Sequence, residues 1–194
     1  QQLGSNLGKV VRINGDGSIP ADNPFASRQN ARGDVYSYGH RNMLAATFDA
    51  NGRLWVIEMG PKGGDELNLI RSGRNYGWPQ VSNGDNYAGP SIPDHPTREE
   101  LQEPIRTWTP VVSASGALLY SGAMYPAWRN SIVAGGLSSM SIIRLVVDGE
   151  RVAQEERIWM GRRIRDVLQM PDGALLAIVD DKQKGDLLRV TPAR

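Results

Sequence analysis

Four stretches of the chain carry side chains able to do chemistry. Tyr38-Gly39-His40-Arg41-Asn42 sets a guanidinium and an amide directly behind a flexible glycine. Arg grips carboxylate and quinone oxygens through parallel N–H donors, so this pair suits an anionic or carbonyl-rich ligand; the same residues also suit a strand-initiating turn with a structural Arg. In Glu58-Met59-Gly60-Pro61-Lys62-Gly63-Gly64-Asp65-Glu66, a Gly-Pro step precedes a flexible loop. Such a step can turn main-chain carbonyls inward, and carbonyl oxygens are good Ca²⁺ ligands. Asp65 and Glu66 can bind a metal or orient the loop. The Asp/Asn ladder of an EF-hand is missing, and an ordinary hairpin loop is the simpler reading of the residue types. Arg162-Arg163-Ile164-Arg165-Asp166 is the third stretch. In a strand Arg163 and Arg165 share one face, because side chains alternate with period two, and two guanidiniums together call for an anion or for solvent. The fourth, Arg74-Asn75-Tyr76-Gly77-Trp78-Pro79, is an aromatic turn that either packs or walls a pocket.

Composition removes many other chemistries. There is no Cys, so disulfides, iron–sulfur clusters, zinc–thiolate sites and thiol nucleophiles are excluded. His40 and His95 are the only histidines, which leaves little room for a His-based metal site. His95, inside Ser91-Ile92-Pro93-Asp94-His95-Pro96, is expected on the surface. The 22 Lys and Arg against 21 Asp and Glu leave a charge of +1, and hence no overall field to attract nucleic acid or an acidic membrane. No run approaches the roughly 18 apolar residues of a membrane-spanning helix. No basic segment precedes an apolar core, so a secretory leader, if the protein is exported, lies outside this chain. No nucleophile elbow, zincin, phosphate-loop or dinucleotide motif is present.

The elements that must position these residues read as strands. The chain has 22 Gly and 12 Pro, spread between short apolar runs such as Lys9–Ile13, Leu54–Glu58, Ile142–Val147 and Ala174–Val179. This pattern predicts an all-β domain, with at most one short helical turn at Thr97–Gln102. Self-comparison then exposes a repeat. Phe48-Asp49-Ala50-Asn51-Gly52-Arg53-Leu54-Trp55 reads strand, Asn-Gly turn, strand. Met170-Pro171-Asp172-Gly173-Ala174-Leu175-Leu176-Ala177 repeats it with Asp-Gly, and both turns are strong hairpin signals. A degenerate middle copy runs from Gly116 through Ser131–Ala134 to Leu145. Repeats of roughly 40–50 residues, each a small antiparallel sheet, mark a β-propeller. The expected blades cover about 40–71, 112–147 and 163–191, with residues 8–13 as an outer strand whose inner partners precede residue 1. About three blades leave sheet edges open, so the 1–194 chain reads as a partial propeller.

Taken in order, these motifs resemble the soluble quinoprotein sugar dehydrogenases, the glucose/sorbosone dehydrogenase or aldose sugar dehydrogenase family. The likeness rests on Leu7–Ile13, Gly17–Pro20, Asp22–Phe25, Tyr38–Asn42, Gly60-Pro61 with Gly64–Asn68, Asn75–Pro79 and Arg163–Val167. The resemblance implies a six-bladed propeller, of which this chain is similar to the C-terminal half. It implies oxidation of the anomeric carbon of aldoses with pyrroloquinoline quinone (PQQ) and Ca²⁺, and a periplasmic or secreted location. Carried over by motif, Arg41 and Asn42 would contact the quinone and Arg163 and Arg165 would face cofactor and sugar. The carbonyls of Gly60 and Pro61 would bind the cofactor-linked Ca²⁺, with Asp65 in support. The family's catalytic His lies in the other half, His40 is not its substitute, and a cofactor-binding Lys of several members falls near Ser138. The expected partners are therefore an aldose and either the missing half or a second half-propeller copy. The alternative is a non-catalytic half-propeller that closes by oligomerisation.

Overall fold

The computed structural model describes residues 1–193 and contains four antiparallel sheets with two short 3₁₀ turns. Strands β1 (Lys9–Val11) and β2 (Val35–Tyr38) form a two-stranded sheet. Strands β3 (Met43–Phe48), β4 (Leu54–Glu58), β5 (Asp65–Leu69) and β6 (Arg106–Trp108) form the first four-stranded sheet in simple meander order. Strands β7 (Ala114–Leu119), β8 (Ser131–Gly136), β9 (Ser141–Asp148) and β10 (Arg151–Trp159) repeat that order. The third sheet holds β11 (Ile164–Gln169), β12 (Leu175–Val179) and β13 (Leu187–Val190).

The hairpin turns form where the sequence places them. Gly52 takes φ +74° between β3 and β4, while the Asp49 carboxylate accepts the Asn51 and Arg53 amides at 2.9 and 3.0 Å. Gly173 takes φ +87° between β11 and β12, with Asp172 accepting the Ala174 amide at 3.0 Å. Left-handed φ is open to Gly without the steric cost a Cβ brings.

The sheets extend beyond the blades read from sequence. The first continues from residue 71 to Trp108, because β6 follows a long loop and returns to pair Asp65 with Trp108. The second continues from residue 147 to Trp159, because β10 carries the polar run Gln154–Arg157 and so lacks a sustained apolar run. The 8–13 segment contributes β1, whose partner β2 lies downstream. The short helical turn falls at His95–Thr97 rather than Thr97–Gln102, with Asp94 at its N-cap and Pro96 inside it.

The innermost strands β3, β7 and β11 lie side by side and run the same way. Near their starts, Ser115 Oγ donates to the Ile164 carbonyl at 2.6 Å, and Asp65 accepts both the Gly60 and Ser113 amides. Near their ends, the Gln169 side chain accepts the Ser121 amide at 2.8 Å. The result is a fan of sheets about a common axis, a β-propeller architecture.

Apolar side chains lie on both faces of each sheet in the fan. Trp55, Ile57 and Leu67 pack against Ile132, Ile143 and Leu145 between the first and second sheets. Val133 and Ile142 pack against Val167, Leu175 and Ala177 between the second and third. Full burial of such a side chain stabilises by roughly 1.5–3 kcal/mol, so these two seams fix the angle of the fan. Among the described residues, the far face of the third sheet has no such neighbour: Leu168, Ile178 and Leu187 stand exposed there.

Candidate functional site

The site is built at the starting end of the inner strands. Arg41 and Asn42 immediately precede β3, Gly60 and Pro61 open the β4–β5 loop, and Arg163 immediately precedes β11. The Met59 amide donates to the Asn42 carbonyl at 2.9 Å, tying the first two segments together. Asp65 ties the loop to the second sheet by accepting the Gly60 amide at 3.1 Å and the Ser113 amide at 2.6 Å. Burial pushes the Asp65 carboxyl up, against four backbone N–H bonds that hold it down.

Beneath the rim lies a buried polar chain. Glu58, at the end of β4, accepts the His40 ring Nδ1–H at 2.9 Å, the Asn68 amide at 2.7 Å and the Arg41 backbone N–H at 2.8 Å. Burial raises this carboxyl, but the hydrogen bond and charge of His40 and the other donors outweigh it and hold Glu58 below its usual range. The carboxylate only accepts, so His40 carries its proton on Nδ1 and its Nε2 pairs with Ser37 Oγ at 2.8 Å. The imidazole stacks on Tyr76 with centroids 4.5 Å apart.

Glu66 stands directly across the ladder from Glu58. Two like charges in that position repel. Burial first, and the Glu58 charge second, push Glu66 up to about 8, so it is neutral at pH 7 and Asn68 donates to it at 3.1 Å. The second histidine joins the same region. His95 is 2 % exposed, with Nε2 3.0 Å from the Tyr76 carbonyl and Nδ1 facing Glu66 at 3.8 Å. The surface position expected for it is incorrect, because the turn at Pro96 folds the loop back onto the aromatic segment.

Arg41 is fastened rather than free. Its Nη1 donates to the Met59 carbonyl at 2.9 Å and its guanidinium lies 5.2 Å from the Trp78 ring centroid. Its Nε is buried without a partner. Gly39, Arg41, Glu58, Gly60, Glu66 and Trp78 line a space of about 10 Å³, room for one water-sized group. Asn42 is exposed and its side-chain amide makes no hydrogen bond among the described residues. Arg163 and Arg165 do reach a common point: both donate to Asp180 at 2.9 Å, Arg163 from just before β11 and Arg165 from the irregularity in register between Ile164 and Asp166. The hydrogen bond from Arg163, with the Arg165 charge, holds Asp180 below its usual range despite a small burial effect. Three donors thus converge on one carboxylate oxygen, and the pair keeps one net positive charge at the rim.

The structure brings Arg41 and Gly60 together around one space; Arg163 and Arg165 lie at the same end of the fan but do not line that space. Ser138 holds the Val111 carbonyl through its hydroxyl at 2.9 Å. Among the described residues, no group of three or more His, Asp or Glu side chains could hold a metal. A cation at the Gly60-Pro61 step would therefore rest on main-chain oxygens. Those oxygens fit: no backbone or side-chain donor reaches the Gly60 or Pro61 carbonyl among the described residues. The unpaired Arg41 Nε, the free Asn42 amide and the paired arginines likewise fit a planar anion with carbonyl groups. Sequence reasoning missed Glu58 and Asp180 as the residues that hold the arginines. Glu58 ends β4 and Asp180 directly follows β12, equivalent places in the repeat, which is the one signal the sequence offered.

With this geometry in place, the comparison with known proteins is decisive at the level of family. Residues 1–189 match the glucose/sorbosone dehydrogenase family model, and the chain belongs to that family. It is 37% identical over 199 residues to the aldose sugar dehydrogenase YliI of Escherichia coli (strain K12), covering 99% of this chain and 53% of that one. Among solved structures, a glucose dehydrogenase superimposes with a TM-score of 0.89 at 39% identity, over 96% of this chain and 55% of that chain. The PQQ-bound form of an aldose sugar dehydrogenase from Streptomyces coelicolor superimposes with a TM-score of 0.66 at 29% identity, over 95% of this chain and 51% of that chain. The chain thus spans about half the length of the curated relatives it matches.

Proposed function

We propose that this chain supplies the cofactor-gripping half of a quinoprotein dehydrogenase that oxidises the anomeric carbon of aldose sugars to lactones with PQQ and Ca²⁺. The observation that carries the proposal is the pairing of a fastened Arg41, with a buried unpaired Nε, and two donor-free carbonyls at Gly60 and Pro61 beside it. Buried polar groups are almost always satisfied, so an orphaned donor beside free acceptors points to a ligand that completes both. When bound, PQQ supplies a two-electron acceptor and Ca²⁺ polarises its carbonyl.

The residues of this chain bind and orient. Arg41 and Asn42 donate toward a quinone or carboxylate oxygen, and Gly60 and Pro61 offer carbonyls to the cation. Arg163 and Arg165, both held by Asp180, present cationic charge to cofactor and sugar. The proton leaving the sugar hydroxyl needs a base, and His40 is not free for it, being locked between Ser37 and Glu58. Turnover on this reading requires further sheets, from the rest of a longer chain or a second copy. The uncovered Leu168, Ile178 and Leu187 face, and a span of half the relatives' length, support that requirement. Export to the periplasm belongs to the same proposal and rests on the family likeness.

The test is a titration with PQQ in the presence of Ca²⁺, followed by quinone absorbance and thermal shift. A saturable response that needs Ca²⁺ and is strongly weakened, but still measurable, in Arg41→Ala is expected. Absence of any response in the unaltered chain would overturn the proposal.

A further inference from the structure

Arg41 owes its position to a buried carboxylate at the end of β4. Its backbone amide is held by Glu58 Oε2 at 2.8 Å, and the same carboxylate holds the preceding residue through the His40 ring at 2.9 Å. One buried side chain at the end of β4 therefore fastens two consecutive residues of the turn before β3. Glu58 is itself fixed from the next strand by Asn68 at 2.7 Å. The turn has no slack on its other side, where Gly39 packs against the backbone of Tyr76 and Gly77. Beyond this anchored backbone, the Arg41 side chain is set by the Met59 carbonyl and the Trp78 face. The outcome is a guanidinium directed on two sides, with its buried Nε left without a partner.

We infer that Glu58 is a positioning residue for Arg41: it presets the guanidinium for a planar carboxylate- or quinone-bearing anion, acting on the backbone of the His40-Arg41 turn and not by a hydrogen bond to the guanidinium itself. This rests on the function proposed above. A carboxylate is required because three donors converge on two oxygens, an arrangement a side-chain amide cannot match. Gln offers one accepting oxygen and turns an N–H₂ toward at least one of those donors. Preorganisation of this kind lowers the cost of ordering the site when ligand arrives. Trp78 adds to it through the ring face, since guanidinium over indole is attractive and keeps the side chain extended.

Two measurements on the full chain test the inference. The first needs no ligand: exchange of the Arg41 Nε–H proton by ¹⁵N NMR. Expected is a protected signal in the unaltered chain, with exchange faster by at least about tenfold in Glu58→Gln and in the milder Glu58→Asp. Unchanged exchange in folded variants overturns the positioning role, whatever binds. The second is a double-variant cycle on PQQ binding with Ca²⁺, read by fluorescence quenching. Glu58→Gln is expected to weaken binding about tenfold in the unaltered background and to add almost nothing in the Arg41→Ala background. Equal weakening in both backgrounds shows Glu58 to be merely structural and overturns the inference. If the unaltered chain fails to bind PQQ, the proposed function falls and the NMR arm alone decides whether Glu58 positions Arg41.

Discussion

Gly39 is the tightest point of the candidate site, and Gly39→Ala puts a defined load on it. Gly39 has φ +77° and Gly52, in the first hairpin turn, has φ +74°, so the two positions share one backbone conformation. They differ in surroundings. A Cβ at Gly52 would meet nothing within 4 Å, whereas one at Gly39 would overlap Asn75 Oδ1 and lie 2.7 Å from Gly77 N and 2.9 Å from Tyr76 N. Left-handed backbone costs an L-residue about 1–2 kcal/mol, which is the whole expectation for Gly52→Ala. Forcing a methyl group into packed backbone adds about 1–3 kcal/mol, giving roughly 2–5 kcal/mol for Gly39→Ala. At about 2–4 °C per kcal/mol for a domain of this size, melting should fall by about 10 °C for Gly39→Ala and about 4 °C for Gly52→Ala. Calorimetry or urea unfolding of both variants reads the difference. Asn75→Ala should restore little in the Gly39→Ala background, because the obstructing Tyr76 and Gly77 nitrogens are main chain. Equal losses at the two glycines, or full rescue by Asn75→Ala, would refute the claim that backbone approach fixes this turn.

Glu66 makes stability depend on pH. Raised from 4.5 to about 8, it stabilises the fold in full below pH 4.5 and loses that contribution as pH climbs through 8, by up to about 5 kcal/mol. Glu58 works in the opposite sense, its contribution being present above its ordinary value and lost in acid. Urea midpoints measured from pH 5 to 9 should fall in the unaltered chain and stay level in Glu66→Gln; parallel slopes would contradict the burial of Glu66. On the far face of the third sheet, Leu168 is 61% exposed and Ile178 41%. Leu168→Glu with Ile178→Glu should leave unfolding free energy within about 0.5 kcal/mol while abolishing any concentration-dependent light scattering that arises through that face. A loss of about 2–5 kcal/mol would show the face to be covered within one chain.

Local chemistry made much of this protein legible before any coordinates. Asn51-Gly52 and Asp172-Gly173 announced two hairpins because left-handed φ is a property of the turn residues alone. The spacing of those hairpins announced the fan, whereas Arg163 and Arg165 meet at an irregularity in register between Ile164 and Asp166, where regular alternation does not apply. The order of motifs was enough to place the chain in its family. Strands β6 and β10 went unread for a different reason. β6 is three residues long and pairs only because β5 offers an edge, and β10 carries the polar run Gln154–Arg157 because it is a largely exposed edge strand. Tertiary structure alone decided that His95 is buried, that Glu58 and Glu66 confront each other, and that Asp180 gathers both arginines. Each of these depends on which side chains from different strands and loops are brought together by the folded chain. Partner identity there sets protonation and direction, and a linear pattern carries no information about either.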